Sequence, residues 1–254
     1  MSDETQGVGG VRIADDDIYL SENRFEKPKE IFQFIANLIE EEGRGADQSL
    51  LDIGCATGEF VYYLGQRFPG WRMAGIEPSS SMVARAREVQ PNVDFQEGSV
   101  LDESLFSEKR HDVVICNGVL SIFDDPEPAI LNLISSTRDG GTVYIGNSIN
   151  PDPIDVIVRV RRANNENAPW EKGWNIFSRA WIERILEGSD RVIDFEWFPF
   201  PMPFAMPKRP EDPMRAWTIE TEDDPFQRVN GARIIRNVEI ARIRIGAEGS
   251  AKNR

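Results

Sequence analysis

One stretch narrows what this chain can fold into more than any other. The apolar run Ser49 to Ile53 leads straight into Gly54-Cys-Ala-Thr-Gly58, and Phe60, Leu64 and Phe68 then recur at helical spacing until Pro69-Gly70 breaks the pattern. That order reads as strand, tight turn, helix. It repeats downstream: Trp71 to Ile76 carries the strand signal, Ser79 to Val89 the helix, Val93 to Phe95 a third strand and Asp112 to Cys116 a fourth. Pro126 to Thr137 then places Ile130, Leu133 and Ile134 on one helical side, and Asp139-Gly140-Gly141 turns the chain into a fifth strand, Thr142 to Ile145. Such alternation predicts an α/β fold, a parallel sheet with helices on both faces. Upstream, Ile31, Phe34, Ile35, Leu38 and Ile39 form one apolar stripe on a helix from Pro28 to Glu42, with Gly43 as its stop signal.

After residue 150 the alternation ends. Prolines, tryptophans and a run of Asn between residues 150 and 177 predict an irregular excursion over the carboxyl edge of the sheet, the kind of loop that carries specificity. Ser178 is placed to cap a helix with Ile182, Ile185 and Leu186 on one side, Arg191 to Trp197 is strand-like, and the Pro-rich stretch 199–213 cannot be regular. Two further strand signals, Arg215 to Thr221 and Ile234 to Ile245, complete the pattern. The expectation is a mostly parallel α/β sheet with a covering excursion, residues 1–254 forming one domain.

Composition removes several function classes. No apolar run is long enough to cross a bilayer, and residues 1–17 read as an acidic, glycine-containing tail instead of a secretory signal. Two cysteines, Cys55 and Cys116, both at strand ends, make no disulfide framework, so a reducing, cytoplasmic setting is expected. A net charge of −14 repels nucleic acid. The nearest basic cluster, Arg159, Arg161 and Arg162, fits either a solvated face or a contact to an anionic substrate group.

In a parallel sheet, ligands lie beyond the carboxyl ends of the strands, so the residues after strands one to four should converge. The loop Gly54 to Gly58 lets a ligand approach backbone and meet the N–H groups of a helix start, although turn glycines alone would look the same. Glu77 ends the second strand at about the twenty-residue spacing seen in nucleoside binders, where a carboxylate can accept from both ribose hydroxyls. An exposed turn acid before Pro78 is the alternative, and the apolar Ala74-Gly75-Ile76 ahead of it argues for the crevice.

Leu50-Leu-Asp-Ile-Gly-Cys-Ala-Thr-Gly-Glu-Phe60 resembles motif I of the class I S-adenosylmethionine-dependent methyltransferases, and Gly75-Ile-Glu-Pro-Ser-Ser-Ser-Met82 resembles motif II. Phe95-Gln-Glu-Gly-Ser99 is similar to the strand-three motif, and His111-Asp-Val-Val-Ile-Cys-Asn-Gly-Val-Leu120 to motif IV, so the resemblance covers residues 49–146. It departs from the family at Ser99, where Asp is common, and at Ala56, where glycine is frequent. The resemblance implies a Rossmann-like, mostly parallel seven-stranded sheet with an antiparallel C-terminal strand, and S-adenosyl-L-methionine as cofactor, held in a core of residues 46–148 with an N-terminal helical segment 18–45, a substrate-covering excursion 149–231 and a final strand 232–246. Asp52, Gly54, Cys55, Ala56, Thr57 and Gly58 would form its loop, with Gly54, Ala56 and Gly58 along the methionine part. Glu77 would hold the ribose, Pro78, Met82, Ser99 and Val100 would border the adenine, and Asn117 and Gly118 would sit beside the sulfonium. A nicotinamide dinucleotide fits less well, because its pyrophosphate wants G-x-G-x-x-G and this loop is G-x-x-x-G.

Methyl transfer needs alignment of a nucleophile with an activated methyl carbon. No metal is required, and no zinc-ligand spacing is present. His111 opens strand four, at the wrong edge for a base. Asp124, Asp125, Asn147, Asn150 and Asp152 follow strands four and five and fit either catalysis or solvated turns; Asp124, Asn147 and Asn150 are the catalytic candidates. A looser resemblance of Asn175-Ile-Phe-Ser-Arg-Ala-Trp-Ile182, Phe200-Pro-Met-Pro-Phe204 and Arg215-Ala-Trp-Thr218 to bacterial sugar-modifying methyltransferases implies a small-molecule or glycan acceptor methylated on oxygen. Trp170, Trp174 and Phe177 would then form a lid, or else a satellite core, with Tyr19 near the substrate and Arg24 meeting the cofactor carboxylate. The excursion could equally meet a twin subunit in a homodimer. A non-catalytic cofactor-binding protein and a methyltransferase acting on protein or nucleic acid are the alternatives.

Overall fold

The computed structural model describes residues 19–20, 24–105, 110–161, 163–164, 166–212 and 214–249. Helix α1 (Glu30–Glu41) precedes strand β1 (Ser49–Ile53), helix α2 (Glu59–Arg67), β2 (Arg72–Glu77), α3 (Ser80–Val89), β3 (Asp94–Glu97) and β4 (His111–Asn117). Helix α4 (Glu127–Ser135) and strand β5 (Thr137–Asn150) follow. The excursion contributes short strands β6 (Arg159–Val160), β7 (Glu171–Lys172) and β8 (Phe177–Ser178). Then come α5 (Arg179–Gly188), β9 (Val192–Pro199), β10 (Trp217–Ile219), β11 (Gln227–Val229) and β12 (Asn237–Ile245).

The main sheet runs β3-β2-β1-β4-β5-β12-β9, with β8 also paired to β5. It has eight strands where seven were expected, because Phe177 and Ser178 add a two-residue parallel pairing to Ile149 and Asn150 at the far end of β5. Strands β1 to β5 pair in parallel, and β12 runs antiparallel between β5 and β9. Strand β5 is longer than the apolar run Thr142 to Ile145. It begins opposite His111 at Thr137, and the Asp139-Gly140-Gly141 turn is absorbed as an irregularity before Thr142 meets Val113.

Alternation decides which core each side chain joins. Leu50, Val113, Ile115, Tyr144 and Ile240 face Phe32, Ile35, Ile39, Phe60 and Leu64 of α1 and α2. Their neighbours Leu51, Val114, Cys116, Val143 and Ala241 face Ile130 and Leu133 of α4 and Ile182 and Leu186 of α5. Both faces are therefore covered, as the apolar strands demand. Ser178 caps α5 by accepting from the Trp181 N–H at 3.1 Å.

Arg191 ties the far edge together from inside. Only 6 % exposed, it donates to the carbonyls of Ile134, Thr137 and Gly246 and to the Asp139 carboxylate. Arg191→Met would take this donor from three carbonyls and the Asp139 carboxylate, so a loss of about 3 kcal/mol is expected, read as a fall of roughly 6–12 °C in Tm by scanning calorimetry.

Candidate functional site at the strand tips

The order β3-β2-β1-β4-β5 reverses direction between β1 and β4, and the crevice beyond their carboxyl ends is where a ligand enters such a sheet. A cavity of about 170 Å³ lies there, lined among others by Asp52, Gly54, Cys55, Ala56, Glu59, Glu77, Pro78, Met82, Asn117 and Gly118. A second lobe of about 300 Å³, walled by Gly98, Ser99, Val100, Leu101 and Asp102, shares Gly54, Pro78, Val119 and Ile122 with it. The two lobes form one elongated site running from β4 across β1 to the end of β3.

The loop after β1 is shaped by steric need. Gly54 has φ +78° and a Cβ there would stand 2.3 Å from Val119 Cγ2, while Gly58, φ +80°, faces Gln90 and the Phe95 ring with no room for a side chain. Between them Ala56 also adopts a positive φ of 47°, a left-handed conformation that costs a non-glycine residue about 1–2 kcal/mol. Its N–H donates to Glu77 Oε2 at 3.0 Å, and the Ser79 N–H donates to Oε1 at 3.0 Å. Glu77, 6 % exposed, is thus bound to the glycine loop on one side and to the start of α3 on the other.

Asp52 lies beside it, buried, facing the cavity and without a side-chain hydrogen bond to the described residues. Burial, reinforced by the Glu77 charge, pushes its carboxyl up to about 7. Burial likewise raises the Cys55 and Cys116 thiols, so neither is a thiolate nucleophile at neutral pH.

The other expected site residues divide. Ser99 and Val100 line the second lobe, and Tyr19 and Trp174 line the first. Thr57 and Gly58 sit behind the loop and do not line either lobe; Thr57 Oγ1, deeply buried, finds no hydrogen-bond partner among the described residues. Phe177 is fully buried and packs edge-on against Trp181, which makes it core and not lid. Trp170 is 65 % exposed and carries Arg161 over its ring, away from both lobes. Arg24 lines a neighbouring cavity, and its backbone N–H donates to Glu59 Oε1 at 2.8 Å. Lys29, whose local sequence carries no signal, reaches the first lobe instead. Glu59 lines it too, a buried acid in the first turn of α2 that the motif contained without a role.

None of the three catalytic candidates lines the site. Asp124 is bridged by Arg159 at 2.6 Å and by Lys172 at 3.9 Å, with Asn175 donating at 3.2 Å. Burial alone would raise its carboxyl, but those hydrogen bonds and charges hold it below the usual range, where it is a poor proton acceptor. Asn150 closes a turn, accepting from Asp152 N–H and donating to the Ile154 carbonyl. Asn147 is buried within β5 and accepts from the Ser148 N–H. Of the arginine cluster, Arg159 is thus engaged by Asp124 and Arg161 by Trp170, while Arg162 lies outside the described residues.

The excursion is pinned over the site by Asn175, which is buried. Its side chain joins the Val158 N–H to the Phe123 carbonyl, and its own N–H donates to the Ser121 carbonyl. Lys172, Gly173 and Trp174 are thereby held against the cavity. Among the described residues no cluster of His, Cys, Asp and Glu could hold a metal ion, and no helix is long and apolar enough to cross a membrane.

Residues 20–191 match the family model described as a methyltransferase domain. Among curated proteins, the trans-aconitate 2-methyltransferase of Deinococcus radiodurans is 31 % identical over 104 residues, 41 % of this chain and 39 % of that protein. A putative methyltransferase of Invertebrate iridescent virus 6 is 25 % identical over 116 residues, 45 % of this chain and 43 % of that protein. The chain thus matches only about two fifths of the length of these relatives. Among solved structures, the N-methyltransferase NodS of Bradyrhizobium japonicum in complex with S-adenosyl-L-homocysteine superposes with a TM-score of 0.54 at 17 % identity. The superposition covers 92 % of this chain and 93 % of that one, a likeness of fold.

Two stability measurements follow from the loop. Asp52 folded holds its proton up to pH about 7 whereas the unfolded chain releases it near 3.8, so its contribution to stability falls as pH rises through that window, by at most about 1.4 kcal/mol per pH unit. Asp52→Asn should flatten the fall in urea midpoint between pH 4 and 7 and be more stable than the parent above it. Ala56→Gly relieves the left-handed strain at the expense of a floppier unfolded chain, a net gain of roughly 0.5–1 kcal/mol, whereas Ala56→Val should lose more than that.

Proposed function

The chain belongs to the methyltransferase-domain family, of the class I S-adenosylmethionine-dependent kind, and we propose that it moves a methyl group from that cofactor to an oxygen of a small polar metabolite or glycan. The observation that carries this reading is the two-lobed site with a buried, doubly bonded carboxylate, Glu77, at the end of β2. Held in place by those two amides, Glu77 stands at the strand end where a carboxylate suits the paired hydroxyls of a ribose. The lobe formed by Gly98 to Asp102 takes the adenine, with Pro78, Ser99 and Val100 as its borders and Met82 on the adjoining wall of the first lobe. The backbone of Gly54 and Ala56, with Asp52 behind, takes the methionine part, and Asn117 and Gly118 flank the sulfonium. Lys29 replaces Arg24 as the partner of the cofactor carboxylate, since it is Lys29 that lines this lobe.

Bound S-adenosylmethionine supplies a methyl carbon already activated by positive sulfur. What the chain must add is alignment and exclusion of water. Trp174 and Gly173, held down by Asn175, close the site from above, and Tyr19 borders the side from which an acceptor arrives. A small acceptor is supported by the trans-aconitate in the name of the Deinococcus relative, and a cytoplasmic setting by two buried thiols, both free.

Incubation of the protein with cofactor labelled in the methyl group and with fractions of a cell extract tests the reading. Labelled small molecules whose label is an O-methyl by mass spectrometry are expected. Labelled polymer, or tight binding with no turnover, would replace the reading with one of its alternatives. Glu77→Ala should weaken S-adenosylhomocysteine binding at least tenfold in calorimetry, as loss of a charged hydrogen-bond acceptor of about 1.5–3 kcal/mol requires, while Asp124→Asn should leave it unaltered. Equal affinity in Glu77→Ala would remove the pocket assignment.

A further inference from the structure

Beside the cofactor site lies a larger cavity of about 630 Å³ that shares Tyr19, Lys29 and Trp174 with it. Its walls come from the start of α1, the Pro-rich stretch after β9, and the β10–β11 region. In a chain of net charge −14, this cavity is basic: among the described residues seven Lys or Arg side chains line it, against the carboxylates of Glu30 and Asp212. Both acids are already engaged, Asp212 with Arg215 at 3.5 Å and Glu30 with the Gln33 amide at 3.3 Å.

Arg228 and Arg236 are the centre of the imbalance. They are neighbours, the Arg236 N–H donating to the Arg228 carbonyl at 2.9 Å, and both side chains line the cavity. No carboxylate among the described residues pairs with either. Arg228 makes no side-chain hydrogen bond to them at all. Arg236 lies over the Trp174 ring at 5.6 Å and donates through Nε to Ser148 Oγ at 3.1 Å, which orients the guanidinium and leaves its Nη groups to the cavity. Burial pushes both guanidinium groups down to about 10, for Arg228 with the added repulsion of Arg236. Two half-buried like charges side by side, without a counter-charge among the described residues, are unfavourable unless something anionic completes them.

We propose that this cavity seats the anionic part of the methyl acceptor, a carboxylate or phosphate group bridged by Arg228 and Arg236, with the accepting atom directed past Lys29 and Trp174 toward the cofactor. The proposal rests on the cofactor reading of the adjoining site. Guanidinium forks match both oxyanions in geometry, and a neutral acceptor would leave the pair uncompensated. The volume suits a small metabolite. The anion is an anchor: it fixes the acceptor's orientation, so its loss should weaken binding of the acceptor without affecting the cofactor.

Calorimetric titration of the full chain with citrate, glucose 6-phosphate and glucose at constant ionic strength, with and without S-adenosylhomocysteine, tests it. Citrate or glucose 6-phosphate should bind and glucose should not, and which anion binds separates the carboxylate source from the phosphate one. Arg228→Gln should weaken that binding tenfold or more and leave S-adenosylhomocysteine affinity within twofold. In the anion-free protein Arg228→Met should raise Tm, an effect that a merely structural arginine would not give. Arg236→Gln serves as the second variant should either substitution at Arg228 prevent folding. Binding of neither anion, equal binding of glucose and its phosphate, or an unaltered anion affinity in the variants would overturn the proposal. Absence of S-adenosylhomocysteine binding would instead sink the cofactor reading, and the titrations without it would still decide the anion site.

Discussion

Two carboxylates buried side by side at the tips of neighbouring strands set the terms for the rest of the molecule. Glu77 is tolerated because the Ala56 and Ser79 amides bind it, and those two bonds join the glycine loop to the start of α3. Asp52 has no such partners among the described residues, so burial and its neighbour's charge raise its carboxyl to about 7. A parallel sheet makes this crowding unavoidable, since every strand end with its following turn points to the same side. The fold therefore concentrates unsatisfied polarity where a polar ligand is to be held, and the strain at Ala56 is stored at the same place.

Charge is distributed with the same economy. The chain is acidic overall, yet seven Lys or Arg residues line the cavity beside the strand-tip crevice, three from the segment just ahead of α1 and four from residues 209–236. Elsewhere arginines are spent on structure. Arg191 binds three carbonyls, and Arg159 neutralises Asp124. Where an arginine has its carboxylate, it holds the fold. Where it has none among the described residues, as at Arg228, the fold leaves a charge for a ligand.

Most of the strand-tip crevice was legible in the amino-acid order. Leu51 to Ile53, the glycines and Glu77 lie within thirty residues of one another, and strand periodicity alone puts them on one edge. The surroundings built by the excursion were not. Phe177 fitted either a lid or a satellite core and is core, since its two-residue pairing with β5 joins it to the main sheet, where it is fully buried. Asp124 and Asn150 stood at plausible positions after strands four and five, but local partners claim them: Arg159 and Lys172 for the first, a turn at Asp152 for the second. Lys29 was invisible, since a lysine before a helix has no pattern to betray it.

Taken alone, the order of residues determined the sheet, its helices and the glycine loop at the strand tips, because local steric rules and hydrophobic alternation act over a few residues and leave their period in the chain. Only the tertiary structure decided the second cavity. Arg228 and Arg236 become neighbours through backbone pairing within the C-terminal region, Lys29 arrives from the opposite end of the chain, and Trp174 comes from the excursion. No periodicity spans such separations, so which charges meet, and which are left without a counter-ion, is a property of packing.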